Sequence, residues 1–382
     1  MLLPPDLREW GPADHLVHFV IDAIGELDVR RARVNEQGSG SEPDPPAMML
    51  GLLISSDATG GFGSRRIEQT TYENVAVRLL CGDTHPDHDT ICSFRRQNRE
   101  LLSRSFAQVL ELAARGRVLK LGDSTVAIAG TKVLANASRH SAVSYGRAGE
   151  QLRQVELESE PLLAKAEADD AQPLQDGLSL EGELARRHER KARLQQARAE
   201  IEAHAFARAQ QQRAHQAPDQ PGPPPPPAAT DQYNYPDPQS RIMPVGGKTR
   251  LAQSDNAQAA VDTIERNDQG PPTGITVLAS VGRKAHGRTV TDLEQRADPP
   301  APPAHAPFTE RLAHRTATAA GRIRYKLRQQ TVEPVFGIIK QAIGFRRFML
   351  RGLENVSLEW ILVTLSSDLR RLHTLRAVLK AA

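Results

Sequence analysis

A long polar segment, residues 146–213, interrupts the chain between two parts that carry denser apolar patterns. Its few apolar residues recur at helical spacing, while charged residues crowd the remaining face. These apolar residues are Leu152, Val155, Leu162, Leu163, Leu184, Leu194 and Ile201. A helix with so narrow an apolar stripe buries it best against a second helix. The pattern predicts a helical arm over residues 146–215, folded as a hairpin or coiled coil, with its charged face in solvent.

The apolar pattern of residues 1–118, which precede the arm, predicts an all-helical domain. Apolar residues recur at helical spacing in four stretches, residues 12–28, 47–56, 64–80 and 88–115. Ser64 is the predicted cap of the third helix, and either Asp87 or Asp89 would cap the fourth. Asp57 is an unexpected charge in the otherwise apolar second helix.

Proline-rich stretches divide the rest of the chain. Residues 216–249 include consecutive prolines at 223–227, which favour an extended polyproline helix. We interpret this region as a linker and loop, although such a motif is also that of an SH3-domain ligand. A second stretch, residues 299–307, precedes the C-terminal part. Short strands are predicted at residues 125–128, 256–261 and 275–281.

The C-terminal part has the strongest helical pattern. Its apolar residues fall on one helix face and are Val332, Val335, Phe336, Ile339 and Ile343. Glu333 and Lys340 lie on the opposite face. Residues 356–379 are apolar nearly all round, which predicts a buried helix. Between 308 and 382, 14 lysines and arginines face 5 acidic residues, a local balance of +9 that suits a polyanionic partner or a solvated surface.

Composition excludes several other classes of protein. The 382 residues are enough for two or three domains. Cys81 and Cys92 are too few for a disulfide framework or a zinc site, so a reducing cytoplasm is the expected compartment. No apolar run approaches the roughly 20 residues of a membrane-spanning helix. The N-terminus has no basic flank or apolar core of a signal peptide.

Several short strings along the chain are typical of one enzyme family and occur in that family's order. They are SRRIE (64–68), HPDHDTI (85–91), FRR (94–96), GTKVLANAS (130–138), NAQAAVD (256–262), QTVEPVFGIIK (330–340) and RGLE (351–354). One such string would be a weak signal, but the ordered set covers most of the chain. On these strings the chain resembles the DDE transposases of bacterial insertion sequences, in a degenerate form.

This resemblance implies a mixed fold. An all-helical DNA-binding domain would span residues 1–118. An α/β ribonuclease-H-like domain would combine residues 119–145 with 250–382, interrupted by the helical arm. The implied partners are double-stranded DNA, at the element ends and at the target, and a second copy of the chain in a homodimer. The expected place of action is the nucleoid in the cytoplasm.

The implied chemistry is hydrolysis of a DNA phosphodiester, followed by attack of the freed 3′-hydroxyl on target DNA. Two Mg²⁺ ions stabilise the attacking and leaving oxygens in such a mechanism. Mg²⁺ prefers oxygen ligands, and in this family two aspartates and one glutamate supply them. The resemblance therefore implies magnesium as the cofactor, held by three carboxylates.

Only one of these three carboxylates has a counterpart in this chain. The family's glutamate corresponds to Glu333, which is the expected catalytic residue and metal ligand. The first aspartate precedes the GTK string, where this chain has Ala129. Asp123 lies six residues earlier, which is too far along an extended strand to take its place.

The second aspartate is missing together with its surroundings. The family has a strand, a helix and another strand after the position of Asp262, whereas this chain passes directly to Ile275. We interpret this difference as an internal deletion between about 263 and 275. Asp268 and Asp292 are nearby but do not end a predicted strand. The resemblance thus implies an incomplete catalytic domain, in which lost strands expose sheet edges.

The expected DNA contacts are basic residues near helix starts and in the strings that carry the resemblance. They are Arg65, Arg66, Arg95, Arg96, Arg99, Lys132 and Lys340. The first turns of a recognition helix reach base edges, while flanking arginines hold phosphates. The alternative is that the arginines are solvated or pair with Glu68, Glu73 and Glu100.

Three hypotheses about function follow. The chain is an insertion-sequence transposase with impaired catalysis, or it is a non-catalytic remnant that binds element ends and competes with an intact transposase. The third hypothesis is a helical interaction protein without a DNA role, in which the arm dominates.

Overall fold

The structure is a computed structural model. It describes residues 11–33, 44–116, 125–167, 179–214, 226–245, 250–263, 276–278, 297–303 and 305–381. The chain divides into two compact units. Unit 1 consists of residues Met1–Val133 and Asn256–Ala382, and unit 2 consists of residues Leu134–Asp255. The predicted arm and the predicted linker therefore both fall within the bounds of unit 2.

The first part of unit 1 is helical, as its periodicity predicts. Its helices are α1 (Leu16–Gly25), α2 (Pro46–Ala58), α3 (Ser64–Glu73), α4 (Val75–Leu80), α5 (His88–Gln97) and α6 (Arg99–Arg115). Of the two candidate caps of α5, Asp87 is the one used. Its carboxylate accepts a hydrogen bond of 2.7 Å from the backbone amide of Thr90.

Asparagines break two helices that were predicted to be continuous. The helix expected to reach Leu80 ends at Glu73, because Asn74 is extended and its side chain accepts hydrogen bonds from the first amides of α4. Asn98 is the second break, and it separates α5 from α6. The predicted cap Ser64 is instead the first residue of α3. Asparagine side chains compete for backbone groups, a local effect that apolar spacing does not record.

The second part of unit 1 is also mostly helical, as predicted. Its helices are α9 (Phe308–Ala317), α10 (Ala319–Lys326), α11 (Arg328–Gly337) and α12 (Leu353–Ala381). A π-helical turn, Ile338–Ala342, extends α11, and Gly344 follows it with a left-handed φ of +87°. That φ favours glycine, which has no Cβ to clash with the backbone.

One core in unit 1 includes residues from both of these helical parts. Leu358, Leu362 and Leu365 of α12 are buried together with Val20 of α1 and Leu53 of α2. The resemblance places the two parts in different domains, and those domain boundaries stay a prediction. Within the described residues, no helix is both long enough and apolar enough to cross a membrane.

A small sheet accompanies the helices. Its strands are β1 (Thr125–Leu134), β4 (Arg241–Pro244), β5 (Leu251–Thr263) and β6 (Thr276–Leu278). They lie in the order β4-β5-β1-β6. β1 and β6 are parallel, with Val126 opposite Val277, and β4 and β5 are antiparallel, with Ile242 opposite Gln253. The three predicted strands are confirmed, and the fold is mixed and mostly helical.

Unit 2 is built around two long helices. These are α7 (Tyr145–Glu167) and α8 (Leu180–Ala214), which pack against each other, and a two-stranded antiparallel sheet of β2 (Ala142–Ser144) and β3 (Gln232–Asn234) joins them. The sparse apolar stripe forms their contact, with Leu152, Val155, Leu194 and Ile201 all buried. An ion pair of 2.9 Å links Lys191 of α8 to Glu156 of α7.

Candidate functional site

The helix that carries Glu333 buries its predicted apolar face. Val332, Phe336, Ile339 and Ile343 are all buried. Glu333 follows Val332 directly along the helix and is exposed. The 3.6-residue period therefore separates the buried face from the carboxylate, as the sequence pattern predicts.

Ala129, at the predicted position of the first aspartate, lies against this helix. It is half-buried on β1 and packs on the small cluster formed by Val332 and Phe336, together with Ala259 and Trp360. The position thus adjoins the turn of α11 from which Glu333 projects. Its side chain here is a methyl group, which adds to the apolar contact and offers no ligand atom.

Lys340 holds the end of α11 to strand β1. Its ammonium donates hydrogen bonds to the Thr131 hydroxyl, at 2.6 Å, and to the backbone carbonyl of Lys132, at 2.7 Å. It is half-buried, and this burial lowers the pKa of its ammonium. Two of the motif strings, 208 or 209 residues apart at these contacts, therefore meet directly.

A third string lies beside the same strand. A Cβ at Gly130 would come within 2.8 Å of the Asn256 side-chain oxygen, so a larger residue would require the Asn256 side chain to shift. Trp360 of α12 donates a hydrogen bond of 2.8 Å from its indole nitrogen to the carbonyl of Gln258. The strings at 130–138, 256–262 and 330–340 thus converge around β1 and α11.

The remaining candidate carboxylates cannot be placed in this arrangement. Asp123, Asp268 and Asp292 lie outside the described residues. The backbone of Asp262 belongs to β5, and its side chain lies outside the described part. Among the residues that the structure describes, no group of three or more histidines, cysteines or carboxylates could hold a metal ion.

The five arginines of the predicted DNA surface have different environments. Arg65 and Arg66, in the first turn of α3, and Arg96, on α5, are exposed. Arg99 is half-buried and donates to Glu354, at 2.7 Å, and to Asn355, at 2.6 Å. It therefore connects α6 to the start of α12, and its guanidinium is already engaged within the protein.

Arg95 differs from its neighbour Arg96, because its side chain is inside the core. It is 6% exposed, and both terminal nitrogens donate to the carbonyl of Phe62 at 3.3 Å. Its position on α5 directs it inward, beside Ile91 and Phe94 on the buried face. The predicted role of Arg95 as a DNA contact is therefore corrected: the guanidinium has no access to a ligand outside the protein.

Two buried carboxylates accompany Arg95, and sequence reasoning did not connect them. Burial raises the pKa of Asp57 on α2 to about 8, with Arg95 opposing the shift and Glu359 adding to it. Burial also raises the pKa of Glu359 on α12, although its carboxylate accepts hydrogen bonds from the amides of Met349 and Leu350. The only signal in the sequence was the unexpected charge of Asp57 in an apolar helix.

Two family models match the chain. A model described as a transposase domain (DUF772) matches residues 5–97, and one described as a transposase DDE domain matches residues 302–373. Together the two matches cover less than half of the chain, and they support an insertion-sequence DDE transposase. The second match includes Glu333 and Lys340 but not Ala129 on β1. Comparison with curated proteins and with solved structures gave no match.

Proposed function

We propose that this protein is a transposase that binds the DNA of its insertion sequence but is impaired in the DDE reaction. The single observation behind the second part is Ala129, whose methyl group packs on Val332 and Phe336 beside Glu333. DDE transposases use divalent metal ions, which need oxygen ligands. A methyl group at this place removes a ligand that both ions would share.

The residues present do not fit a two-metal site. Glu333 is the one candidate ligand and catalytic residue in the described arrangement, and a single carboxylate leaves most coordination positions of Mg²⁺ to water. We therefore derive no cleavage step for this chain. We assign Lys132 to a phosphate contact. Lys340 is left out, because its ammonium is already engaged with the Thr131 hydroxyl and the Lys132 backbone carbonyl.

DNA binding is assigned to the exposed arginines of the helical part. Arg65, Arg66 and Arg96 lie on α3 and α5, which pack against each other. Such a pair of helices can present one helix to a DNA groove while flanking cations hold phosphates. Arg95 and Arg99 are left out of this surface, because their guanidinium groups are engaged within the protein.

The finer architecture belongs to the same proposal. The strand order around β1, with α11 against it, is compatible with a ribonuclease-H-like domain formed by residues 119–145 and 250–382, with the arm as an insertion. A homodimer acting on element ends and target DNA, within the nucleoid, follows from the family. The alternative of a remnant that competes with an intact transposase shares the same DNA-binding surface.

The catalytic part of the proposal is tested by plasmid nicking. We expect the full-length protein to nick supercoiled plasmid in Mg²⁺ or Mn²⁺ no faster than its Glu333→Gln variant does. The physical reason is that neither protein holds the two ions that activate water and stabilise the leaving oxygen. Metal-dependent nicking that disappears in Glu333→Gln would establish a working site and contradict the proposal.

The DNA-binding part is tested with paired arginine variants. We expect the Arg66→Gln/Arg96→Gln protein to bind a fluorescent duplex about tenfold more weakly, with a salt dependence smaller by about 0.9 per lost phosphate contact. The matched control is Arg104→Gln/Arg115→Gln on α6, which removes the same charge and should change affinity less than about twofold. Equal losses in both proteins would mean that α3 and α5 are not the DNA surface.

A further inference from the structure

A basic groove lies on α8 of unit 2, and none of its arginines belongs to the sites described above. Arg186, Arg190 and Arg193 recur at positions i, i+4 and i+7, so they form one stripe along the helix. Gln151 of α7 and Tyr235, which follows β3, line the other side, and the open groove has a volume of about 450 Å³. Glu189 is also in the lining, so these side chains carry three positive charges and one negative charge.

Arg190 and Arg193 differ from neighbouring arginines of unit 2, whose guanidinium groups have partners within the protein. Arg187 pairs with Glu183 at 2.6 Å, Arg208 pairs with Asp231 at 2.5 Å, and Arg198 donates to the Tyr145 hydroxyl at 2.9 Å. In the part of the chain that the structure describes, neither Arg190 nor Arg193 has a carboxylate within 4.0 Å. These two guanidinium groups therefore face the groove without a direct ion pair, although Glu189 lies in the same lining.

Tyr235 fixes one of these arginines in place. The guanidinium of Arg193 lies 5.0 Å from the centroid of the Tyr235 ring, within the range of a cation–π contact. Tyr233 packs edge-on against Tyr235, with the ring centroids 5.5 Å apart, and Tyr233 is itself buried. Because the aromatic support is anchored in the core of unit 2, Arg193 loses less side-chain entropy when it binds a ligand.

We propose that this groove binds phosphates of the DNA backbone. Arg186 and Arg193 are seven residues apart, which is about 10.5 Å along a helix and close to the rise of about three base pairs at 3.4 Å each. Planar guanidinium groups match phosphate oxygens in a two-pronged geometry, and Arg186, at 2.8 Å from Glu183, completes the stripe at its outer end.

A DNA backbone fits these observations better than an acidic protein segment does. The stripe is regular along one helix and its apolar content is small, whereas the core of a protein interface is depleted of charge. The inference goes beyond the proposed function, since none of the groove residues belongs to the DNA surface assigned to α3 and α5. It also revises the sequence-based interpretation, in which the charged face of the arm only meets solvent.

The experiment compares two charge-matched pairs of substitutions in the full chain. Arg190→Gln/Arg193→Gln removes the two groove arginines, and Arg187→Gln/Lys191→Gln removes two neighbouring cations that are already paired with Glu183 and Glu156. Affinity for a fluorescent duplex of arbitrary sequence is measured by anisotropy over a series of salt concentrations. Circular dichroism checks that each protein keeps its helical content.

We expect the groove pair to weaken duplex binding about tenfold and to lower the salt dependence by nearly 2, about 0.9 for each phosphate contact. The control pair should change affinity less than about twofold. The same ratio between the two pairs is expected when both are made in the Arg66→Gln/Arg96→Gln background, so failure of the α3–α5 surface does not hide the effect of the groove.

Three results would overturn the inference. Equal losses in the two pairs would mean that only the overall charge matters. Displacement of the duplex from the groove by inorganic phosphate at low millimolar concentration would assign the site to free phosphate. Binding of polyglutamate that depends on Arg190 and Arg193, with unchanged duplex binding, would assign the groove to an acidic protein.

Discussion

Replacing Arg95 by alanine is expected to lower the free energy of unfolding by about 3 kcal/mol or more, the usual cost of removing one partner from a buried charged cluster. The side chain is 6% exposed and its guanidinium lies in the field of two buried carboxylates, Asp57 and Glu359. Alanine would remove the positive charge beside Asp57 and Glu359 and would leave the carbonyl of Phe62 without its two donors. Urea unfolding followed by circular dichroism measures the loss.

The matched control is the adjacent residue. Arg96→Ala changes an exposed arginine on the same helix and should alter stability by no more than about 0.5 kcal/mol. It should, however, weaken duplex binding, because Arg96 belongs to the proposed DNA surface. The interpretation of Arg95 fails if Arg95→Ala is as stable as the wild type and instead loses affinity for DNA.

The contrast between these two arginines marks what the sequence can and cannot predict. Both belong to one motif string, and both follow a helix start at Asp87, one of the two caps that the sequence offers. Which of them points inward depends on α12, whose residues enter the core some 260 positions later in the chain, at Leu358 and beyond. No local pattern around residue 95 contains that information.

The helices and strands themselves were largely predictable. Apolar spacing predicted α2 and the buried face of α11, and short β-branched stretches predicted β1 and β6. The breaks at Asn74 and Asn98 were missed, because asparagine side chains compete for backbone groups: Asn74 caps α4, and Asn98 bonds to the backbone of Arg33 and Phe94. The sequence also gave no indication that α11 would continue into a π-helical turn.

That the three motif strings belong to one domain was predicted from the family resemblance and not from the apolar pattern. Periodicity predicts that Glu333 is exposed, but nothing in it predicts that Lys340 would bond to Thr131 or that Ala129 would pack on Val332. These are contacts between residues about 200 positions apart. The strand placement of Ala129 was predictable, and its significance depended on knowing where the family has an aspartate.

The second large effect concerns pH. We expect the wild-type protein to lose stability as pH rises from about 4 to 8, by up to about 1.4 kcal/mol per pH unit. Burial raises the pKa of Asp57 from 3.8 to about 8, so the folded state binds a proton that the unfolded state has released. The stabilisation from that proton is complete below pH 3.8 and is lost as pH rises through 8.

Asp57→Asn should remove most of this dependence. Asparagine has nearly the same shape and stays neutral, so the variant should be more stable than the wild type at pH 8 by at least about 1 kcal/mol, with a smaller difference at pH 5. A slope should remain, mainly below pH 6, because burial also raises the pKa of Glu359 and raises those of Asp255 and Asp368 to about 6, and these shifts act in the same direction.

Urea unfolding measures the difference in unfolding free energy between Asp57→Asn and the wild type at pH 5 and at pH 8. These two differences decide the prediction. Asp22→Asn, at an exposed position of α1, is the control, and its stability should run parallel to the wild type at both pH values. If Asp57→Asn is less stable than the wild type at pH 8, then Asp57 is ionised and paired with Arg95, and the buried cluster is an ion pair instead of a neutral acid beside a cation. In that case Arg95→Ala should cost more at pH 8 than at pH 5, which the same measurements on the arginine variant would reveal.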